Sequence, residues 1–224
     1  MLIRVPDFAS FFQLDPSEKV RVMRAASFSA QKANGMMHEN DYYALGVVLL
    51  ATRPKNIFEI GTYMGVTADF CLSLLRRSKL ISIAYVNDDG TKQYNNSELP
   101  ADQIGTEVSA ARRSRFVQII GDSHTINSRS LIRKHGPFEF VLIDGDHSPE
   151  GVSADTALAA SILTKAGAIC WHDANPKPKY VPVRQYLEAE PAFTAIATAD
   201  TYVGGIAVWS NEIERRATQS EPRP

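Results

Sequence analysis

Phe138-Glu139-Phe140-Val141-Leu142-Ile143-Asp144-Gly145-Asp146-His147 reads as a β-strand running into an acidic turn. The strand part is apolar at almost every position, the pattern of a strand covered on both faces. Ser148-Pro149-Glu150 follows at once and opens a helix, with a capping serine, proline at the first helical position and an acid in the first turn. Gly167, after Lys165, marks the expected end of that helix, and Ala168–Trp171 reads as the next strand. A buried strand, a helix and a second buried strand in succession imply a parallel sheet with helices packed on it.

The same alternation extends upstream. Asn56–Ile60, Leu80–Val86 and Phe116–Ile120 read as strands, and Thr67–Arg76 as a helix with Phe70, Cys71, Leu74 and Leu75 on one face. Downstream the pattern changes. Phe193–Thr198 and Gly205–Trp209 are joined by too few residues for a crossover helix, so they should pair as an antiparallel hairpin at one sheet edge. Residues 1–55 read as an N-terminal helical cap, with one helix starting at Asp15-Pro16 and another from about Asn40 to Thr52, stopping before Pro54. Residues 56–211 form the main domain, and the polar tail 212–224 is expected to fray. Residues 87–112 are one long polar insertion, the kind of stretch that is functional or disordered.

Composition narrows the function. The 224 residues carry 24 Lys+Arg against 25 Asp+Glu, a net charge of −1. That balance argues against a protein that holds nucleic acid by neutralising phosphates. The basic clusters Arg76-Arg77-Lys79 and Arg112-Arg113-Arg115 read as solvated charge at a helix end and before a strand. The longest apolar run, Tyr42–Ala51, has ten residues, about half of the roughly 20 a membrane helix needs. The first residues lack the apolar centre of a signal peptide. Cys71 and Cys170, the two cysteines, sit among apolar residues, so a disulfide framework is not expected and a cytoplasmic setting is the default.

Two places carry chemistry. The first strand of the main domain ends in Phe58-Glu59-Ile60-Gly61-Thr62-Tyr63-Met64-Gly65. Glycine at 61 permits a sharp turn, and glycine at 65 lets the chain pass close to a ligand at a helix N-terminus. The spacing is Gly-x-x-x-Gly, not the Gly-x-Gly-x-x-Gly of a pyrophosphate-binding dinucleotide fold. Glu59 adds negative charge that suits an ammonium or sulfonium group better than a phosphate. The second place is formed by Asp144-Gly145-Asp146-His147 and Trp171-His172-Asp173, at the carboxyl ends of neighbouring central strands. Asp144 and Asp173 facing each other repel unless a cation, proton or basic group lies between them. They could hold a hard divalent cation such as Mg²⁺, and His172 could join for a softer metal. His147, three residues after Asp144, could swing over the cleft and take a proton. Asp146 reads as a turn residue before the next helix.

These motifs resemble those of class I S-adenosylmethionine-dependent methyltransferases, and more narrowly methyltransferase domain family 24. The resemblance rests on Phe58 to Gly65, Gly121-Asp122-Ser123, Phe140 to His147, and Gly167 through Trp171-His172-Asp173, and spans about residues 39 to 209. It implies an α/β fold: a doubly wound, Rossmann-like, seven-stranded, mostly parallel sheet with a C-terminal antiparallel hairpin. It implies S-adenosylmethionine as cofactor, with Glu59, Gly61, Thr62, Tyr63 and Gly65 along the methionine part. Asp122 and Ser123 would lie at the adenine, and Asp144 near the methionine end and the substrate. In metal-dependent relatives, carboxylates matching Asp144 and Asp173 hold Mg²⁺, and in some sugar O-methyltransferases a histidine matching His147 is the base. Two positions depart from the pattern. Tyr85 stands where an acid usually grips the ribose, with Asp88 the nearest substitute, and Ala174 separates Asp173 from Asn175.

The expected function is therefore O-methylation of a small molecule, with Asp144 and His147 catalytic and a divalent cation assisting at Asp144, Asp173 and His172. The N-terminal helices and the insertion would cover the substrate. Nucleic-acid and membrane partners are not expected, and homo-oligomerisation is left open. Three other readings compete. One is a scaffold or binding protein with a degenerate cofactor pocket. Another, a nicotinamide oxidoreductase, is disfavoured by the glycine spacing. The third is a relative that kept the fold for a reaction other than methylation on a glycosylated or antibiotic-like substrate.

Overall fold

The computed structural model describes residues 2–5, 7–34, 36–86, 99–175, 181–193, 195–199 and 204–220. Its centre is a sheet of eight strands, β1 (Leu2–Val5), β2 (Asn56–Ile60), β3 (Lys79–Ala84), β4 (Phe116–Ile120), β5 (Phe138–Ile143), β6 (Leu163–Trp171), β7 (Ile196–Ala199) and β8 (Ile206–Ser210). The order across the sheet is β1-β7-β8-β6-β5-β2-β3-β4. The β6–β5–β2–β3–β4 part is parallel throughout, and β8 runs antiparallel to both β6 and β7. The seven expected strands and the hairpin are all present. The eighth, β1, comes from the N-terminal segment and pairs in parallel with β7, so it occupies the edge expected for the hairpin.

Among the described residues, eight α-helices flank the sheet: α1 (Phe8–Phe11), α2 (Pro16–Ala33), α3 (Glu39–Thr52), α4 (Val66–Leu74), α5 (Ser128–His135), α6 (Pro149–Ile162), α7 (Val181–Ala189) and α8 (Asn211–Ser220). Asp15 caps α2 by accepting from the Ser17 and Glu18 amides, and Ser148 caps α6 by accepting from Gly151. One core lies between the sheet and α2, α3 and α4, and includes Tyr42, Leu45, Leu49, Phe70 and Leu72. The other lies on the opposite face, under α5, α6 and α7, with Phe58, Phe138, Val141, Trp171 and Leu187. β5 contributes Phe140 and Leu142 to the first and Phe138, Val141 and Ile143 to the second. That double duty explains its nearly unbroken apolar run.

Besides β1, a strand in a segment expected to be helical, two elements differ from the sequence expectation. Gly167 does not end α6. The helix stops at Ile162, and the chain is already extended at Leu163, with φ −74° and ψ 142°. Gly167 instead lies in an irregularity where the β5–β6 pairing jumps from Phe138↔Leu163 to Phe140↔Ala168. A Cβ at Gly167 would come within 2.7 Å of the Leu163 side chain. The tail does not fray directly after Asn211, because α8 runs to Ser220. Ile213 is buried, and the Trp209 indole N–H donates to Glu214 at 2.7 Å, which ties the helix to β8.

Candidate active site

The loops that leave β2, β4, β5 and β6 continue the sheet's hydrogen bonding by one residue. Gly61 N–H donates to Ile83, Gly121 to Ala84, Asp144 to Ile60 and His172 to Ile143. The chemistry-bearing residues therefore emerge at one level along the carboxyl end of the sheet, where ligands bind in open α/β folds. The two loops are packed against each other: a Cβ at Gly61 would stand 2.0 Å from the Asp144 carbonyl oxygen. Gly61 has φ +98° and Gly65 φ +85°, conformations that favour glycine.

The glycine-loop corner is a chain of hydroxyls. Glu59, Ser82 and Gln118 face one another across β2, β3 and β4. Gln118 Nε2 donates to Thr62 Oγ1 at 2.9 Å, Thr62 Oγ1 and Ser82 Oγ are 2.6 Å apart, and Ser82 Oγ donates to Glu59 Oε2 at 2.5 Å. Glu59 is completely buried, its Oε1 has no hydrogen-bond partner, and burial pushes its carboxyl up to about 8. It is thus a neutral acid at pH 7 and not the exposed charge its place in the sequence suggests. Residues 99–112 of the insertion strap this corner from outside. Gly105 N–H donates to Tyr63 and Glu107 N–H to Met64, while Asp69 on α4 accepts from Ser109 N–H and pairs with Arg112 at 3.0 Å. Asp88 lies outside the described residues. Tyr85 follows β3 and is half-buried.

Beside it, an added Cβ at Gly121 would meet nothing within 4 Å, so the chain faces open space before Asp122. Asp122 Oδ1 accepts from the His124 amide. Ser123 turns inward, and its hydroxyl donates to Asp155 of α6 at 2.6 Å.

The β5–β6 corner is ionic. Asp144, His147 and Asp173 bring their ligand atoms within 4.8 Å of one another. His147 Nε2 is 2.6 Å from Asp173 Oδ2 and 3.8 Å from Asp144 Oδ1. Asp173 adopts φ 58°, strained for a non-glycine residue, and its buried Oδ1 has no partner. Burial opposes protonation of His147, but the Asp173 hydrogen bond and the Asp144 charge prevail and raise its pKa. A cavity of about 10 Å³ adjoins Asp144, His147 and His172, roughly the size of one water-sized sphere. His172 lies outside the convergent trio. Its Nδ1 is 3.0 Å from Asp144 Oδ1 and its Nε2 is 3.4 Å from Asp41 Oδ2, so both ring nitrogens face carboxylates and neither is left for a metal. Asp146 bonds the amide and hydroxyl of Ser148, as a turn residue should. A larger cavity, about 450 Å³, lies away from this site between α2 and α4, lined by Arg21, Arg24, Phe28, Asp69 and Arg112 among others.

Comparison with known proteins places this geometry. Residues 58–174 match the profile of methyltransferase domain family 24, described as a methyltransferase domain. The chain belongs to this methyltransferase family. The matched segment of the methyltransferase runs from the glycine loop to the residue after Asp173, so it contains both corners. No curated protein matches the sequence. Among solved structures, the methyltransferase resembles an O-methyltransferase from Bacillus cereus in complex with SAH, at 15% identity and TM-score 0.54, over 89% of this chain and 93% of that one. It also resembles the O-methyltransferase TomG from Streptomyces achromogenes in complex with SAM (14%, TM-score 0.56, 82% and 87%). MycE from the mycinamycin biosynthetic pathway, in complex with Mg, SAH and mycinamycin VI, is similar at 14% and TM-score 0.56, over 84% of this chain and 54% of MycE. At these identities the likenesses show a shared fold.

Sequence reading missed two residues that the structure bonds to these corners, Asp41 and Gln118. Gln118 could have been noticed as a polar residue inside an otherwise apolar strand. For Asp41, a carboxylate on an apolar helix is the only trace.

Proposed function

We propose that this methyltransferase moves a methyl group from S-adenosylmethionine to an oxygen of a small molecule. The observation that carries the proposal is the Asp144–His147–Asp173 trio at the carboxyl ends of β5 and β6. When bound, S-adenosylmethionine supplies a methyl carbon on a positively charged sulfur, and a divalent cation supplies charge that makes an acceptor hydroxyl more acidic. Asp144 and Asp173 would hold the cation, with His147 beside it and not bound to it, and the unpartnered Asp173 Oδ1 is the atom most in need of one.

Gly61, Thr62, Tyr63 and Gly65 would line the methionine part, with Glu59 acting from beneath through Ser82 and Thr62. Tyr85, Asp122 and Ser123 would line the ribose and adenine side, next to the open face at Gly121. Asp144 sits where the two halves of the site meet. His147 would accept the acceptor's hydroxyl proton at a ring nitrogen, while the new C–O bond forms and the C–S electron pair stays with sulfur. Holding acceptor and donor in line lowers the barrier further.

Calorimetry with S-adenosylhomocysteine, with and without Mg²⁺, tests the cofactor. Incubation with S-adenosylmethionine and hydroxylated small molecules, read by product mass, tests the reaction. A single added methyl is the expected product. Absence of any cofactor binding would leave the scaffold reading standing.

A further inference from the structure

Asp41 lies in the first turn of α3 and is only 1% exposed, among Tyr42, Ala44, Leu45 and the other apolar residues that the helix buries. An acid in a first turn suits the helix dipole, but that effect does not require burial, and Glu39 in the same turn provides it from the surface. A buried carboxylate is costly unless its oxygens are satisfied. Here Oδ1 accepts the Gly205 N–H at 3.1 Å, and Oδ2 faces His172 Nε2 at 3.4 Å. The opposite ring nitrogen of His172 faces Asp144 at 3.0 Å. The imidazole is thus gripped from two sides, by a carboxylate of an N-terminal helix at Nε2 and by Asp144 at Nδ1, with Asp173 Oδ2 also 3.5 Å from Nδ1.

The end of the hairpin loop, at Gly204 and Gly205, packs on this pair. Gly204 and Gly205 adopt φ +69° and +93°. A Cβ at Gly204 would lie 2.6 Å from His172 Nε2 and 2.7 Å from Asp41 Oδ2, so only glycine leaves them room. The same loop accepts hydrogen bonds from the Ala174 and Asn175 amides, directly after Asp173.

We infer that Asp41 is a positioning residue: by holding His172 it fixes the direction of Asp144, so that α3 forms part of the site's machinery and does more than cover it. The inference rests on the reading of Asp144 as a working group. Partners of this kind behind a metal-binding or reacting side chain typically change affinity or activity about 10–100-fold when removed.

The test uses Asp41→Asn in the full chain, which keeps the size and an acceptor for Gly205 but loses the charge. With Mn²⁺ alone as probe, followed by its electron paramagnetic resonance signal, affinity should fall about 10–100-fold. Affinity for S-adenosylhomocysteine should change less than about twofold, and the melting temperature should show that the fold is kept. Unchanged Mn²⁺ affinity in Asp41→Asn, with the affinity lost in Asp144→Asn, would overturn the proposal and leave Asp41 a structural residue. Should the wild type take up no Mn²⁺, the cation reading fails by itself, and the ¹³C signal of the Asp144 carboxyl decides. That carboxyl faces His172 Nδ1, on the side of the ring away from Asp41, so its shift in Asp41→Asn supports the relay and its constancy refutes it. If Asp41→Asn does not fold, Asp41→Ser, which can still accept from Gly205, carries the same expectations.

Discussion

The glycine-loop corner and the β5–β6 corner touch at Gly61 and Asp144, yet they bury their carboxylates by opposite means. Glu59 has no counter-charge. It becomes neutral and is anchored by hydroxyls running from Gln118 through Thr62 and Ser82. Asp144 and Asp173 keep company with two histidines, both with raised pKa values because the carboxylate attraction outweighs burial. A neutral hydroxyl chain can fix a loop but offers little to a reaction that shifts charge. An ionic cluster with an unsatisfied oxygen can hold a cation or pass a proton. One sheet end thus carries a hydroxyl-bonded corner, the proposed cradle, and an ionic corner, the proposed reactive one, side by side.

The difference should show first in catalysis. His147→Ala is expected to lower kcat by about 10²–10⁴, the range for losing a general base, while S-adenosylhomocysteine affinity stays within a few fold. Gln118→Ala, in the other corner, should reverse the split, weakening cofactor binding more than turnover of bound cofactor. Equal effects of both variants on kcat would erase the functional contrast. The measurements are steady-state methyl transfer to an accepted small molecule and calorimetric titration.

The seam between the corners comes next. Gly61→Ala forces a left-handed conformation on alanine and drives its Cβ to 2.0 Å from the Asp144 carbonyl. Backbone cannot yield as a side-chain tip can, so a loss on the order of 3 kcal/mol in denaturant unfolding is expected. A smaller loss would show that the corners move independently.

What the sequence disclosed follows the same division. Asp144, His147 and Asp173 were legible because strand ends in a parallel sheet converge by topology, and a buried strand announces itself by apolar content. The ladder of Glu59, Ser82 and Gln118 was not. It depends on the register of three strands and on the burial of a glutamate that reads as surface charge. Asp41 and His172 are 131 positions apart, a distance across which no local pattern speaks. β1 failed for another reason. Leu2–Val5 is too short to stand out, and its pairing with β7 is a purely tertiary fact. Gly167 misled because helix termination and a sheet irregularity both favour glycine.

The pH response of stability sharpens the comparison at lower energy. In the folded chain the Glu59 carboxyl sits at about 8 against an ordinary 4.5. The folded state therefore keeps a proton that the unfolded chain releases. This contribution is complete below about pH 4.5 and is lost as pH rises through 8. Glu59→Gln mimics the neutral acid without that loss. Its unfolding free energy should exceed the wild type's by a growing margin across this window, up to about a few kcal/mol. Urea titrations at pH 5, 7 and 9 would show the divergence, and parallel pH profiles would mean that Glu59 is ionised in place.

Asp155 lies between the two corners, and its substitution should have the smallest effect. It is fully buried under the Asp122–Ser123 loop, and its Oδ2, which has no partner, lies 3.0 Å from where a Cβ on Gly145 would stand. Burial lifts its carboxyl to about 6 from 3.8, despite the Ser123 hydrogen bond and nearby His124, which pull the other way. The sign matches that of Glu59, because the raised folded value makes stability fall as pH rises. The window is narrower, from about 3.8 to 6. Asp155→Asn retains an acceptor for the Ser123 hydroxyl and puts an N–H where the neutral acid would carry its own proton. Above pH 6 the variant should be the more stable, by about 2 kcal/mol or less, and below pH 4 the two should coincide. Because Ser123 stays bonded, cofactor affinity should be nearly unchanged at low pH and rise relative to wild type near neutrality, as the loop loses a buried charge beneath it. A flat affinity ratio from pH 5 to 8 would mean that Asp155 supports the fold alone, and the boundary between cradle and reactive corner would then run through Ser123.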